Sequence, residues 1–137
     1  MLIVQNNSVL QRYEIFEAGG CIGFVQYEMH HEEMWVLFTQ LRRKFKNVAR
    51  VSKALGHVLE DARRSRIRVV PFCPAFRVFV CQTPSYISLV PEEWHERVSS
   101  ATRDERGDAG KSVLQYVRFT GSPWRRPTAA HAVLLAS

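Results

Sequence analysis

Met34-Trp35-Val36-Leu37-Phe38-Thr39 is a nearly continuous apolar run, which suits a strand covered on both faces and placed centrally in a sheet. Beyond it the period changes. Val51, Ala54, Leu55, Val58, Leu59 and Ala62 fall at i, i+3, i+4, i+7, i+8 and i+11, which predicts an amphipathic helix. Its outward face carries Lys53, His57, Glu60, Asp61, Arg63 and Arg64, and the basic run Arg63-Arg64-Ser65-Arg66 complements the negative end of the helix dipole. Ile67-Arg68-Val69-Val70 then reads as a short strand. Pro71 and Pro74 bracket Phe72 and Cys73 and stop it before a helix from Ala75 to Cys81, and Thr83-Pro84-Ser85 breaks the chain again.

Upstream, apolar and polar residues alternate in Tyr13-Glu14-Ile15-Phe16-Glu17 and again in Cys21 to Met29, so the first 40 residues read as three strands with the central run as the third. Ala18-Gly19-Gly20 supplies a hairpin turn with positive φ, and Gly23 marks a close backbone approach. Antiparallel N-terminal strands followed by helix, strand and helix predict an α/β fold with a mixed sheet. Residues 7–90 are taken as the domain, and 91–137 as a linker and C-terminal extension. Ser99 to Ser112 is small or charged and reads as a mobile linker, Val113 to Phe119 as an optional extra strand, and Ala129 to Ala136 as a weakly apolar tail.

A chain of 137 residues with 46% hydrophobic and 23% charged side chains supports one domain and excludes a multi-domain machine. No run approaches the roughly 18 apolar residues of a membrane span, and Met1 to Asn7 lacks a signal-like pattern, so a cytoplasmic protein is expected. Cys21, Cys73 and Cys81 have no CxxC spacing and read as reduced thiols. The net charge of +6 is unevenly placed: residues 1–41 sum to −4, residues 42–68 to +8 and residues 69–137 to +2. That middle block faces an anion: nucleic acid, an anionic surface or a phosphate-rich cofactor.

Phe45-Lys46-Asn47-Val48-Ala49-Arg50-Val51-Ser52-Lys53-Ala54-Leu55 opens the helix. Arg68-Val69-Val70-Pro71-Phe72-Cys73-Pro74 follows it, and Thr83-Pro84-Ser85-Tyr86 comes later. These segments resemble the GNAT N-acetyltransferase superfamily, and within it the short single-domain subgroup of YjdJ type, over roughly Asn7 to Val90. The resemblance implies a GNAT-like fold, acetyl-CoA as co-substrate and direct transfer of its acetyl group to a primary amine on a small molecule or peptide. It implies that Lys46, Asn47, Val48, Ala49, Arg50, Val51 and Ser52 form the pyrophosphate loop, where unsatisfied N–H groups and the helix dipole attract phosphate. The family's three small-residue positions fall on Asn47, Ala49 and Val51, of which Asn47 is the one suited to a left-handed conformation; Lys44, Lys46, Arg50 and Lys53 add charge. The strand that usually reads His-Thr-Glu-Val here reads Phe38-Thr39-Gln40-Leu41. Gln40 does not titrate but can orient water or substrate, and the backbone N–H of Gln40 or Leu41 polarises the thioester carbonyl. The tyrosine that would protonate the leaving thiolate falls on Phe79, so the acid is unassigned, with Tyr86 as one candidate.

Other signals have plainer readings. Cys73 lines or packs beside the expected cofactor cleft, since no base stands near it in sequence. His30-His31-Glu32-Glu33 is a turn rather than a metal site, because adjacent strand side chains diverge, and no metal is expected. Gly107 to Ser112 ends like a phosphate loop but has Glu105 where the signature needs Gly. Glu14, Glu28, Glu32 and Glu33 are read as a solvated sheet edge, or as attraction for a cationic acceptor. Two alternatives to catalysis remain: an impaired GNAT-like domain that binds CoA or a protein, and a basic nucleic-acid binder, the latter disfavoured because Phe45 is the one aromatic in the basic block.

Overall fold

A computed structural model describes residues 1–101 and 113–120. Six strands form one mixed sheet: β1 (Ile3–Asn7), β2 (Arg12–Glu17), β3 (Gly20–His30), β4 (Glu33–Arg42), β5 (Arg68–Pro71) and β6 (Arg118–Thr120). Strands β1 to β4 are antiparallel neighbours in chain order, whereas β5 and β6 both run parallel to β4. A parallel neighbour needs a crossover, and helix α1 (Val48–Arg64) supplies it between β4 and β5. Helix α2 (Pro74–Gln82), a 3-10 segment at Pro84–Leu89, a 3-10 turn at Glu92–Trp94 and helix α3 (His95–Ser99) follow, and a last 3-10 turn at Val113–Tyr116 precedes β6.

The expected mixed sheet and helix-strand-helix order are present, with more strand than the sequence reading assigned. β1 escaped it because Val4 is the one fully buried residue of Ile-Val-Gln-Asn-Asn, so no alternation marks the strand. The hairpin between β2 and β3 turns through Ala18 at φ 53° and Gly19 at φ 77°, as a two-residue turn between right-twisted strands requires. The six residues that set the helical period are the buried face of α1, none more than 3% exposed. They pack on Tyr13, Ile15, Ile22, Val25, Met34 and Val36 of the sheet and on Phe76 and Phe79 of α2. Val98, Val113 and Val117 join the same core, so it reaches beyond residue 90. Residues 102–112 of the expected linker, and everything after 120, lie outside the described residues.

Strand β4 is central, as expected, but its apolar run has a different cause from burial on both faces. One face is sealed by Met34, Val36, Thr39 and Leu41, while Trp35, Leu37 and Phe38 are half-buried on the other. The spacing of the sealed residues slips by one because Gln26 pairs with Phe38 and Tyr27 with Val36, which leaves Leu37 as an extra residue on β4. Such a bulge bends the strand and restores the inward face on its far side. β5 pairs with β4 only from Glu33 to Val36, before the bulge, and β6 only from Gln40 to Arg42, after it.

Candidate functional site

Beyond the bulge, β4 runs into a 3-10 turn at Arg43–Phe45 and then, through extended Lys46 and Asn47, into α1. Asn47 is the N-cap. Its Oδ1 accepts the Arg50 N–H at 3.0 Å and its carbonyl accepts the Val51 N–H at 3.1 Å. The side chain reaches back because the backbone is extended, with φ −158°, instead of the left-handed conformation considered from sequence. Val48 and Ala49 keep first-turn N–H groups that have no intrahelical acceptor, and both residues are exposed. Val51 turns its side chain into the core at 3% exposure, and Ser52 is half-buried beside it.

Cations gather around this helix terminus. Arg42, Lys44 and Arg50 stand 5.7, 5.8 and 5.3 Å from the centre of the Phe45 ring, Lys46 stands 5.6 Å from that of Phe119, and Arg118 lies 4.2 Å above Phe38. Arg50 is already engaged: it pairs with Glu17 at 2.9 and 3.1 Å and donates to the Phe45 carbonyl at 3.2 Å. Among the described residues Arg42, Arg43, Lys44, Lys46 and Arg118 make no ion pair. Arg118 sits over Phe38 on the sheet face away from α1, so four cations without an ion pair among the described residues, Arg42, Arg43, Lys44 and Lys46, lead into the positive end of this 17-residue helix and form an anion-attracting surface.

The strand leading to it carries the expected acyl site. Gln40 lies opposite Phe24 of β3 and Arg118 of β6, half-buried on the face away from the core, and Leu41 points into the core at 2% exposure. Gly23 permits this approach: a Cβ there would stand 2.3 Å from the Gln40 carbonyl oxygen and 2.9 Å from the Leu41 Cα. Thr39, fully buried, meets Cys73 with 3.5 Å between Oγ1 and Sγ, and the Cys73 N–H donates to the Val36 carbonyl at 2.8 Å. Cys73 thus closes the space where β4 and β5 part, and at 0% exposure it is a packing residue.

Tyr86 sits elsewhere. Its ring stacks on Phe79 at 5.9 Å and under Arg63 at 5.1 Å, on the helix side of the sheet, whereas the Gln40 side chain is on the other side. Burial first, then a hydrogen bond to Glu60 and its charge, raises the Tyr86 pKa. Gln40, Leu41 and Lys46 through Ser52 thus follow one another from the end of β4 into α1, with the Leu41 and Val51 side chains in the core and the Gln40 side chain on the opposite face of the sheet, and Tyr86 lies apart. Glu14 is not an attracting surface charge, because it is 8% exposed and paired with Arg12 at 3.0 Å. His30 stacks on Trp35 with 3.6 Å between ring centres, and no group of three or more metal-capable side chains converges among the described residues. No helix among them is long and apolar enough to cross a membrane.

Sequence reasoning missed Glu17, which engages Arg50, and the placement of Arg118 and Phe119 on β4. The extra strand expected over Val113 to Phe119 is a 3-10 turn at Val113–Tyr116 and becomes strand only at Arg118–Thr120, where β4 supplies the pairing partner. Gly107 to Ser112 lies outside the described residues. No protein-family model matches the chain, and no curated protein matches it.

Proposed function

We propose that the chain is a GNAT-like domain that binds acetyl-CoA at the far end of β4 and passes the acetyl group directly to a primary amine. One juxtaposition carries this reading: a strand edge that separates from β5 at a bulge leads within a few residues into a helix terminus ringed by uncompensated cations. The donor set fits a polyphosphate. Exposed N–H groups of Val48 and Ala49 supply directional bonds, and Arg42, Arg43, Lys44 and Lys46 supply charge. Acetyl-CoA supplies the activated thioester. The backbone at Gln40 and Leu41 polarises its carbonyl, and the protein's further contribution is to hold amine and thioester together. The amine nitrogen attacks, the carbon–sulfur bond breaks, the amine proton passes to water, and the thiolate is protonated from solvent. The Gln40 amide orients the incoming amine or that water.

A second reading, a domain that binds CoA or a protein without transfer, is favoured by one observation. The neighbours of Gln40 that the strand register and ring contacts identify among the described residues, Phe24, Phe38 and Arg118, include no group able to accept a proton near neutral pH. Calorimetry with acetyl-CoA, CoA and ATP at two salt concentrations tests the binding step, and a thiol-release assay over a panel of amines tests transfer. Binding restricted to the CoA series is expected. Lys44→Ala and Lys46→Ala should each weaken it about tenfold or more, since a hydrogen bond to a charged group contributes about 1.5–3 kcal/mol. Equal binding of ATP, or none of CoA, overturns the proposal. Binding without thiol release selects the second reading.

A further inference from the structure

We infer that β6 is a detachable strap on the acyl site: Arg118–Thr120 lie along the far end of β4 at rest and must leave for an acyl-CoA to be held there. The inference rests on the acyl-CoA reading above. Gln40, Leu41 and Arg42 pair in register with Arg118, Phe119 and Thr120, so the backbone assigned to the thioester carbonyl already has a neighbour on that edge. A ligand and β6 cannot both take it.

The strap is built to come off without unfolding the domain. Its anchor, Val113 and Val117, is 1% and 7% exposed in the common core, whereas Arg118 is exposed and Phe119 and Thr120 are only half-buried. Three residues pair with a single strand, and β6 has no second sheet neighbour among the described residues. Short, half-exposed pairings of this kind open at far lower cost than the whole fold. One cation ties the strap to the anion surface, Lys46 over Phe119, and Arg118 over Phe38 ties it to the outer face of β4. A bound phosphate draws Lys46 from the Phe119 ring, so binding at the helix terminus loosens the strap that covers the adjoining edge. Closure acts as a tax on affinity, because the apparent dissociation constant is the intrinsic one divided by the open fraction.

The test uses the full chain, with amide hydrogen exchange and acetyl-CoA calorimetry on wild type, Phe119→Pro and Phe119→Ala. Proline fixes φ near −65° and has no N–H, which opposes strand pairing at this half-buried position, and alanine removes the ring that Lys46 covers and that packs against the core edge while leaving the backbone able to pair. Faster exchange at Gln40–Arg42 than at Met34–Val36 is expected in the wild type. Phe119→Pro should bind acetyl-CoA about tenfold tighter if the strap is open about a tenth of the time, with Phe119→Ala between it and wild type. Equal protection of the two parts of β4 in the wild type overturns the strap. So does equal or weaker acetyl-CoA binding by Phe119→Pro, and that result leaves the acyl-CoA reading standing. Absence of binding in all three proteins, with exchange showing the Gln40–Arg42 edge exposed in Phe119→Pro, overturns the acyl-CoA reading itself and the strap with it.

Discussion

From Glu33 to Val36, β4 lies between β3 and the parallel β5, with Met34 and Val36 sealed beneath α1. From Gln40 to Arg42 the same strand lies between β3 and three residues of β6, with half-exposed aromatic rings and unpaired cations around it. One extra residue, Leu37, separates the two regimes. The near half has the features of a stability element: apolar, interdigitated and continuous with the core. The far half has charge beside it and only the three residues of β6 on the edge that β5 covers in the near half. The bulge is therefore the structural step between the β5-paired and the β6-paired stretches of β4, and on the proposed reading between fold and site.

The largest effect that tests this contrast is in the near half. Met34→Ala should cost about 2–5 kcal/mol of stability in urea unfolding, because it empties a site that is 2% exposed under α1. It should leave acetyl-CoA affinity of the folded fraction within twofold; a tenfold loss would mean that the two halves are one unit. Gly23→Ala probes the far half from below. Its Cβ would collide with the Gln40 carbonyl and Leu41, and the strands must separate to admit it. A loss of about 3 kcal/mol is expected, the upper end for overpacking, together with a change in acetyl-CoA affinity. A neutral result would show that β3 and β4 are not held at this spacing in solution.

The near half also carries a titration. The Tyr13 hydroxyl donates to Asp61 Oδ2 at 2.6 Å, joining β2 to the end of α1, and burial followed by that bond raises the Tyr13 pKa well above its ordinary 10.0. Because the folded state holds this proton more tightly, the stabilisation is fully present below about pH 10. It falls above that pH by up to about 1.4 kcal/mol per unit for this one group. Tyr13→Phe should flatten the alkaline limb of the stability profile, with a shallower slope left by Tyr27, whose pKa burial also raises. An unchanged limb would show that the hydroxyl is not buried.

The near half was legible in sequence and the far half only in part, for a physical reason. A sealed helix face must repeat every 3.6 residues, so Val51 to Ala62 declared themselves; in the far half Gly23, opposite Leu41, stood out in an apolar run as the mark of a close approach. A bulge leaves no such trace: Leu37 extends an apolar run and reads as a strand with two covered faces. β6 depends on a partner distant in sequence, and the engagement of Arg50 by Glu17 spans 33 positions. The basic block was visible as charge, but which of its members stay unpaired is decided by tertiary contacts.

Smaller effects concern that terminus. Asn47→Ala removes the cap on the Arg50 N–H and should cost about 1 kcal/mol in urea unfolding; no loss would mean that water replaces the cap without penalty. Last is the Arg50–Glu17 pair, whose side chains are 28% and 21% exposed, open enough that solvent screens the attraction. Glu17→Gln should therefore change stability by less than about 1 kcal/mol. Its effect on binding has the opposite sign. Released from the carboxylate, the Arg50 guanidinium keeps its position above Phe45 and adds a fifth cation to the anion surface, so acetyl-CoA should bind more tightly and with a steeper salt dependence. Weaker binding in Glu17→Gln would show instead that the ion pair positions the helix terminus for phosphate, and that Arg50 serves the near half's architecture more than the far half's charge.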